Sequence, residues 1–348
     1  MKQNIKVKAL IFAMVLLSTL ALKAQDSLVF HNGNYIVGEV KDMSRGVLTV
    51  ETDYSDDDFK IEWNSIKEIY TTSYFLITLS DGSRYNGHFN TTEIGKIEIL
   101  SDDGQTINAN HDDLVWLDDI NKGFWSKLDA SIDVGFDLTK ANNFKQFSTR
   151  IGIAYTEKRW NTSANYNTLF SVQDNTDDIK RIDGGIGYRY FLPKDWYPLI
   201  NLNFLSSTEQ SLKLRSSGRI GIGKYMIHTN RSYWGISAGT NYNDETYLPP
   251  NDTIAAAPRK SSMEGFLGSE LNLFDIGDLN LKNTIVAYPS FTESGRWRVD
   301  LDFDAKYEMP FDDSFYIKAG FSINYDNQPV EGASDMDYVI HTGFGWEL

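Results

Sequence analysis

Cysteine is absent from the 348 residues, and histidine occurs only five times. Without cysteine the chain can form no disulfide, thiolate metal site or lipid-modified N-terminal cysteine. Basic residues are scarce from Asp26 to Lys122, where 19 acidic residues face 7 basic ones, a net charge of -12. An acidic segment of this kind repels phosphate backbones, so we expect no nucleic-acid partner. A basic protein partner or divalent cations remain open.

Long apolar runs are also lacking, with one exception at the N-terminus. Three lysines precede the apolar stretch Ala9–Leu22, and the small residue Ala24 follows it. This pattern is typical of a secretory signal peptide, and the 14-residue run is shorter than the roughly 20 residues that a membrane helix needs. We therefore predict that residues 1–24 direct export and are cleaved.

Residues 26–122 contain an internal repeat. Three glycines in the first copy recur 49 residues later in the second, namely Gly33, Gly38 and Gly46 as Gly82, Gly87 and Gly95. Asn32-Gly33 and Asp81-Gly82 stand between alternating apolar residues, which indicates hairpin turns. We predict two β-rich copies, about 28–70 and 77–118. Their order of turn glycine, strand glycine and later apolar strand resembles the SH3-like and Sm-like small barrels, and this resemblance implies an interaction module.

Acidic clusters in this segment raise the question of a calcium site. They are Asp56 to Asp58, Asp102 with Asp103, and Asp112 with Asp113. Carboxylate oxygens suit calcium, but the alternating ligand spacing and the glycine of a calcium loop are missing. We interpret the clusters as solvated turns and predict neither a metal nor a cofactor.

Beyond Phe124 apolar residues alternate with polar ones, as in strands with one apolar face. In Arg296 to Tyr307, for example, Trp297, Val299 and Leu301 alternate with charged residues. Twelve such segments can be counted: Leu128 to Leu138, Phe147 to Tyr155, Trp160 to Phe170, Ile179 to Phe191, Leu199 to Leu205, Leu214 to His228, Tyr233 to Tyr242, Met263 to Phe274, Leu279 to Tyr288, Arg296 to Tyr307, Phe315 to Tyr325 and Tyr338 to Leu348. We predict an all-β fold in which residues 124–348 form an antiparallel transmembrane β-barrel of about 12 strands, preceded by the duplicated module, residues 26–122.

Three features favour a membrane over water around this barrel. Aromatic residues gather near segment ends, and tight connections alternate with longer ones such as Asp244 to Lys260, as expected for interfacial girdles and for short periplasmic turns opposite long outer loops. The last segment, Tyr338 to Leu348, resembles the terminal strand that the barrel-assembly machinery recognises, although many such strands end in Phe. We predict an outer-membrane location with the module in the periplasm. The expected partners are outer-membrane lipid, the assembly machinery and a periplasmic protein, and a soluble exported β-protein is the alternative.

Two glycine-rich segments carry a family resemblance. Gly184 to Phe191 and Gly218 to Tyr225 are similar to strands of outer-membrane barrels whose members include proteins described as salt-induced and of unknown function. The resemblance covers about Trp125 to Leu348. It implies a location and a fold, and it supplies no catalytic residue.

The expected luminal face carries the candidate site. One side of the Arg296 to Tyr307 segment presents a charge ladder of mixed sign: Arg296, Arg298, Asp300, Asp302, Asp304 and Lys306. Selective channels usually line a constriction with one sign of charge, so we predict a packed ion-pair network that narrows the pore. Twelve strands lie between filled eight-stranded and open 16-stranded barrels, so a structural role and a narrow solute channel both stay open.

An enzyme is the remaining alternative. The barrel contains only His228 and His341 as histidines, and on strand parity His341 faces the lumen. Serines and aspartates are plentiful but lie in no recognisable nucleophile motif. We therefore expect no enzymatic activity, with an outer-membrane hydrolase as the alternative.

Overall fold

The computed structural model describes residues 25–120, 124–139, 144–157, 159–174, 177–249, 259–274, 279–309, 312–330 and 333–347. The predicted signal peptide, residues 1–24, lies outside these ranges. No helix within them is long and apolar enough to cross a membrane. Their strands form two separate sheets, one in the N-terminal module and one in the barrel.

The module contains ten strands, five from each copy. In the first copy they are β1 (Asp26–Phe30), β2 (Tyr35–Ser44), β3 (Val47–Glu51), β4 (Phe59–Glu62) and β5 (Ile66–Tyr70). In the second they are β6 (Phe75–Leu79), β7 (Arg84–Glu93), β8 (Lys96–Ser101), β9 (Thr106–Asn110) and β10 (Leu114–Asp119). A single 3-10 turn precedes the last strand of each copy, at Trp63–Ser65 and His111–Asp113. The two copies thus share one fold.

The two copies combine into one small barrel. The pairings β1–β5, β5–β7, β7–β6, β6–β10, β10–β2 and β2–β1 close a ring of six strands, while β3–β4 and β8–β9 extend from it. Each copy's last strand pairs with the second strand of the other copy. Inward residues of both copies, among them Leu28, Val40, Phe75 and Phe89, form a fully buried apolar core. The duplicated unit is therefore complete only when both copies are present.

The second sheet is a closed barrel of twelve antiparallel strands, which confirms the predicted architecture. The strands are β11 (Leu128–Thr139), β12 (Phe144–Thr156), β13 (Trp160–Val172), β14 (Ile179–Tyr190), β15 (Trp196–Ser207), β16 (Leu212–His228), β17 (Ser232–Tyr247), β18 (Arg259–Leu273), β19 (Leu279–Pro289), β20 (Trp297–Met309), β21 (Asp312–Asp326) and β22 (Met336–Glu347). Each strand pairs with the next, and β22 closes the ring by pairing with β11, for instance Trp346 opposite Ile132.

Several predicted boundaries differ from the structure by a few residues, and two of these differences affect charged residues of the barrel interior. The predicted long connection Asp244 to Lys260 is partly strand, because the β17–β18 ladder continues to Thr246 opposite Arg259. Arg296, predicted as the first residue of a strand, instead precedes β20. In both places polar residues continue a ladder or lie beside it, and the apolar alternation that marks a strand in sequence is absent there.

The barrel wall is apolar outside and polar inside. Leu202 and Ile220 are each 60% exposed on the outer face near the middle of their strands. Exposed tryptophans lie near the strand ends, including Trp196, Trp234 and Trp297. Because strand side chains alternate, the residues between them point into the barrel. The medium around the barrel wall must therefore be one in which an exposed apolar band is stable.

Candidate functional site: the barrel interior

The interior of the barrel holds a cavity of about 440 Å³. Alternation along the strands places charged side chains in its lining. The cationic ones are Arg150, Arg181, Arg215, Arg219, Lys282, Arg298 and Lys318, and the acidic ones are Asp133, Asp183, Asp300, Asp302 and Asp304. The cavity is thus a charged chamber of mixed sign.

The predicted charge ladder lies inside the barrel, and most of its ion-pair partners come from other strands. Arg298 Nη2 lies 2.7 Å from Glu264 Oε2 on β18. Lys306 Nζ lies 2.5 Å from Glu347 Oε1 on β22 and 3.0 Å from Glu308 on its own strand. The sequence indicated which way these side chains face, but it did not indicate their partners.

Arg296 is the most deeply buried member of the ladder. Its Nη2 lies 2.9 Å from Glu245 Oε2 on β17 and 2.5 Å from Asp326 Oδ2 on β21. Arg215 on β16 donates from Nε to Glu245 Oε1 at 2.7 Å and lies 4.0 Å from Asp326. We call Arg215, Glu245, Arg296 and Asp326 the outer ion-pair cluster. It joins β16 and β17 to β21 across the interior.

A second set of contacts lies at the same end of the barrel. Arg181 Nη1 on β14 lies 2.6 Å from Asp337 Oδ2 on β22, and Ser207 Oγ on β15 donates to the same carboxylate at 2.9 Å. Val330, in the connection after β21, packs against an apolar cluster on β15, β16 and β17, formed by Leu205, Leu212 and Tyr247. The described part of this connection therefore contacts β15, β16 and β17.

Asp304 is the centre of a further network. It lies 3.3 Å from Arg150 Nη1, 2.9 Å from His341 Nε2 and 3.8 Å from Lys318 Nζ. Arg150 Nη2 is 2.8 Å from His341 Nδ1. Because a guanidinium can only donate, His341 Nδ1 is the acceptor, and its Nε2–H donates to Asp304. Both ring nitrogens of His341 are thus engaged, and its predicted luminal position is confirmed.

The module packs on the other end of the barrel, where the short connections lie. The Arg84 guanidinium stacks 4.1 Å from the ring centre of Phe191, which follows β14. Asn230, between β16 and β17, donates from Nδ2 to the Leu114 carbonyl at 2.8 Å. Arg45 lies 3.8 Å from Glu347 in β22. Burial lowers the pKa of Arg84 to about 10, against the opposing effect of nearby tyrosine and aspartate side chains. The module therefore spans this rim.

Glycines at two hairpin tips of the module allow it to approach the barrel closely. Gly82 has a φ of +78°, and a Cβ there would collide with the backbone nitrogen of Asp195 in the barrel. Gly46 has a φ of +81° and would place a Cβ 3.3 Å from the Asn230 carbonyl oxygen. The matching tips in the opposite copies, Gly33 and Gly95, have no neighbour within 4 Å. One hairpin tip from each copy is thus in contact with the barrel.

Sequence reasoning missed Glu245, Glu264 and Asp326 as parts of the site. Glu264 lies on the inward parity of a segment that was predicted, so counting inward acids on every strand would have found it. Glu245 and Asp326 fell in predicted connections, because the apolar alternation ends before them. Within the described ranges no group of three or more His, Asp or Glu side chains is arranged to hold a metal ion.

Together these features define the fold class as an outer-membrane type β-barrel with a polar, charged interior. The profile of a family described as "Protein of unknown function, DUF481" matches residues 132–347. The chain belongs to this family, in agreement with the resemblance to outer-membrane barrels of unknown function. No curated protein matches it significantly.

Several solved structures are similar in architecture. The translocator domain of the autotransporter NalP from Neisseria meningitidis has 13% identity and a TM-score of 0.37, over 65% of this chain and 90% of that one. The NanC porin has 13% identity and a TM-score of 0.34, over 63% and 97%. The beta domain of the Bordetella autotransporter BrkA has 10% identity and a TM-score of 0.31, over 64% and 98%.

Proposed function

We propose that this protein is an outer-membrane β-barrel with a closed interior and a structural or envelope-interaction role, in which the module is the interacting part. The observation that carries the proposal is the burial of Arg296 between Glu245 and Asp326. Through Arg296 the ion pairs link strands that are three to four positions apart in the ring of twelve, and we infer that they close the lumen to a continuous aqueous path at that level. An open porin would instead keep such groups solvated.

Location and topology are part of the same proposal. The apolar outer band and the tryptophans at strand ends support insertion in the outer membrane, with the short connections and the module on the periplasmic side. The assembly machinery would then recognise Tyr338 to Leu348, and a periplasmic protein would bind the module. Protease added to intact cells should cut between β17 and β18 and spare residues 26–119. Cleavage within the module of intact cells would reverse the topology.

Conductance tests the closed interior. Purified full-length protein in a planar lipid bilayer should show little or no steady current. Arg298→Ala leaves Glu264 buried without its cation, which should destabilise the barrel by about 3–5 kcal/mol or open it to ion flow. Arg259→Ala is the matched control, because that arginine pairs with Asp244 but is 71% exposed. Large, stable channels in the unmodified protein that Arg298→Ala leaves unchanged would contradict the closed barrel.

A narrow solute channel is the second candidate. The 440 Å³ cavity favours it, since a purely structural barrel needs no chamber. Small, reproducible currents in the unmodified protein that increase in Arg298→Ala would support this candidate over the structural one.

We propose no enzymatic activity. His341 is bonded at both ring nitrogens by Arg150 and Asp304, so it is poorly placed to accept a proton from a substrate. His228 Nδ1 is bonded to Asp195 at 2.7 Å. We expect that the purified protein hydrolyses neither ester nor phospholipid probes. The variant His341→Gln should behave in the same way.

A further inference from the structure

The cations around the cavity fall into two groups. Five have a carboxylate within ion-pair distance: Arg150 with Asp304, Arg181 with Asp337, Arg215 with Glu245, Arg298 with Glu264, and Lys318 with Asp133. The other two, Arg219 and Lys282, have no carboxylate within 4 Å in the part of the chain that the structure describes. The chamber therefore contains two positive charges that the protein does not neutralise by contact.

Arg219 is held in place by aromatic side chains, one of which, Tyr288, is also hydrogen-bonded to Asp300. Its Nη1 donates to the Tyr288 hydroxyl at 2.9 Å, and its guanidinium carbon lies 5.6 Å from the ring centre of Phe266 and 5.9 Å from that of Tyr288. Its Nε is buried and has no hydrogen-bond acceptor among the described residues. Arg219 as a whole is only half-buried and lines the cavity. The Arg219 guanidinium is thus held in position, and one of its N–H groups has no acceptor.

The acidic residues of the chamber do not accept a hydrogen bond from Arg219 Nε. Asp300 and Asp302 lack a cation within ion-pair distance in the described ranges, but each already accepts a strong hydrogen bond. Asn324 Nδ2 donates to Asp300 at 2.6 Å, and Ser322 Oγ donates to Asp302 at 2.6 Å. Asp300 and Asp302 therefore each have a hydrogen-bond donor, while Arg219 Nε has no acceptor. A ligand oxygen could supply that acceptor, and an oxyanion would do so with a charge opposite to that of the guanidinium.

We propose that this cavity binds a small oxyanion, a carboxylate or a phosphate, with Arg219 as the main ligand and Lys282 as a second charge. A guanidinium suits either oxyanion because its N–H groups form a rigid fork. Lys282 lines the same cavity from β19, six residues before Tyr288, so it contributes a positive charge from farther along the chamber. A volume of 440 Å³ lies within the range of small-molecule sites. The proposal holds whether or not the barrel conducts.

Equilibrium dialysis of the full-length protein in detergent, left overnight against a series of concentrations of labelled ligand, tests the site. Succinate and inorganic phosphate are the two probes, and saturable 1:1 binding of one of them identifies which oxyanion is preferred. Arg219→Met should weaken that binding about tenfold or more, and Lys282→Met should weaken it about threefold. Lys213→Met is the control, because Lys213 is an exposed cation of the same strand outside the cavity. It should leave the affinity unchanged.

Two outcomes overturn the proposal: no saturable binding of either probe, or equal affinity in the unmodified protein and Arg219→Met. Migration on a gel before and after boiling shows whether each variant has folded. If Arg219→Met fails to fold, Arg219→Lys and Lys282→Met decide, since the former keeps the charge but loses the fork. Unchanged affinity in both would also overturn the site. Conductance measurements are independent of these dialysis experiments, so the closed-barrel proposal can fail separately.

Discussion

The module and the barrel use the same strand alternation in opposite senses. In the module Phe75 and Phe89 point inward and are fully buried. In the barrel Leu202 and Ile220 point outward and are exposed, while Arg296 and Glu245 are buried inside. Alternation alone therefore does not say which face is the core. What decides is the ring size and the surroundings, since six strands close tightly on apolar side chains and twelve leave room for charged ones.

The comparison also concerns how each interior is stabilised. The module core is held by apolar burial, whose loss leaves a cavity. The barrel interior depends on partnered charges, where removing one partner leaves the other buried and unpaired. Substitutions in the two regions should therefore differ in kind as well as in size.

The largest effect is expected from emptying the module core. Phe89→Ala should cost about 3–5 kcal/mol of module stability, because a fully buried ring is removed and the core cannot refill the space. Amide hydrogen exchange in β7 and β8 should accelerate while the barrel keeps its heat-dependent gel mobility. Leu202→Ala on the outer barrel face is the control and should change exchange in the module little. Equal loss of protection in both variants would remove the contrast between the two regions.

A charge on the outer barrel face should have the next largest effect. Leu202 lies near the middle of β15, so Leu202→Arg should destabilise the barrel in lipid vesicles by about 2–4 kcal/mol, as expected at a bilayer midplane. Leu192→Arg lies at the rim next to the module, where the cost should fall to about 0–1 kcal/mol. Urea titrations of vesicle-reconstituted protein would measure both. A soluble barrel would show equal and small costs for the two variants.

The smallest effect should come from pH, and only in the module. Burial lowers the pKa of His111 below its ordinary value of 6.5, partly offset by Asp112. The unfolded module therefore binds a proton more readily than the folded one, so its stability should be full above about pH 6.5 and fall as the pH drops from there towards the folded-state pKa. Module unfolding at pH 7.5 and 5.5 measures the difference.

A variant isolates the histidine in that measurement. His111 stacks on Trp63 with ring centres 4.1 Å apart, and His111→Phe keeps an aromatic ring there without a titratable group. The pH dependence should be smaller in this variant. An unchanged dependence would assign the effect to other groups.

Sequence could predict the strands because their signals are local. Alternation located all twelve barrel strands, and the Asn32-Gly33 and Asp81-Gly82 turns marked the module copies. The sequence could not predict that the two copies exchange strands, because nothing in β5 or β10 indicates which copy the strand pairs with. The partners of Arg296 were hidden for a different reason. Which charges meet across a barrel depends on the stagger of every intervening strand, and no stretch of sequence records that stagger.

The pairing of β22 with β11 also fixes the order of events during folding. The two strands lie at opposite ends of the barrel sequence, so their seam is the contact of longest loop closure and forms late. Lys318 on β21 reaches Asp133 on β11, and Arg181 on β14 reaches Asp337 on β22. Both ion pairs link strands on either side of the seam. These two ion pairs can therefore form only when the ring closes, which couples part of the charge pairing inside the lumen to the closure of the barrel.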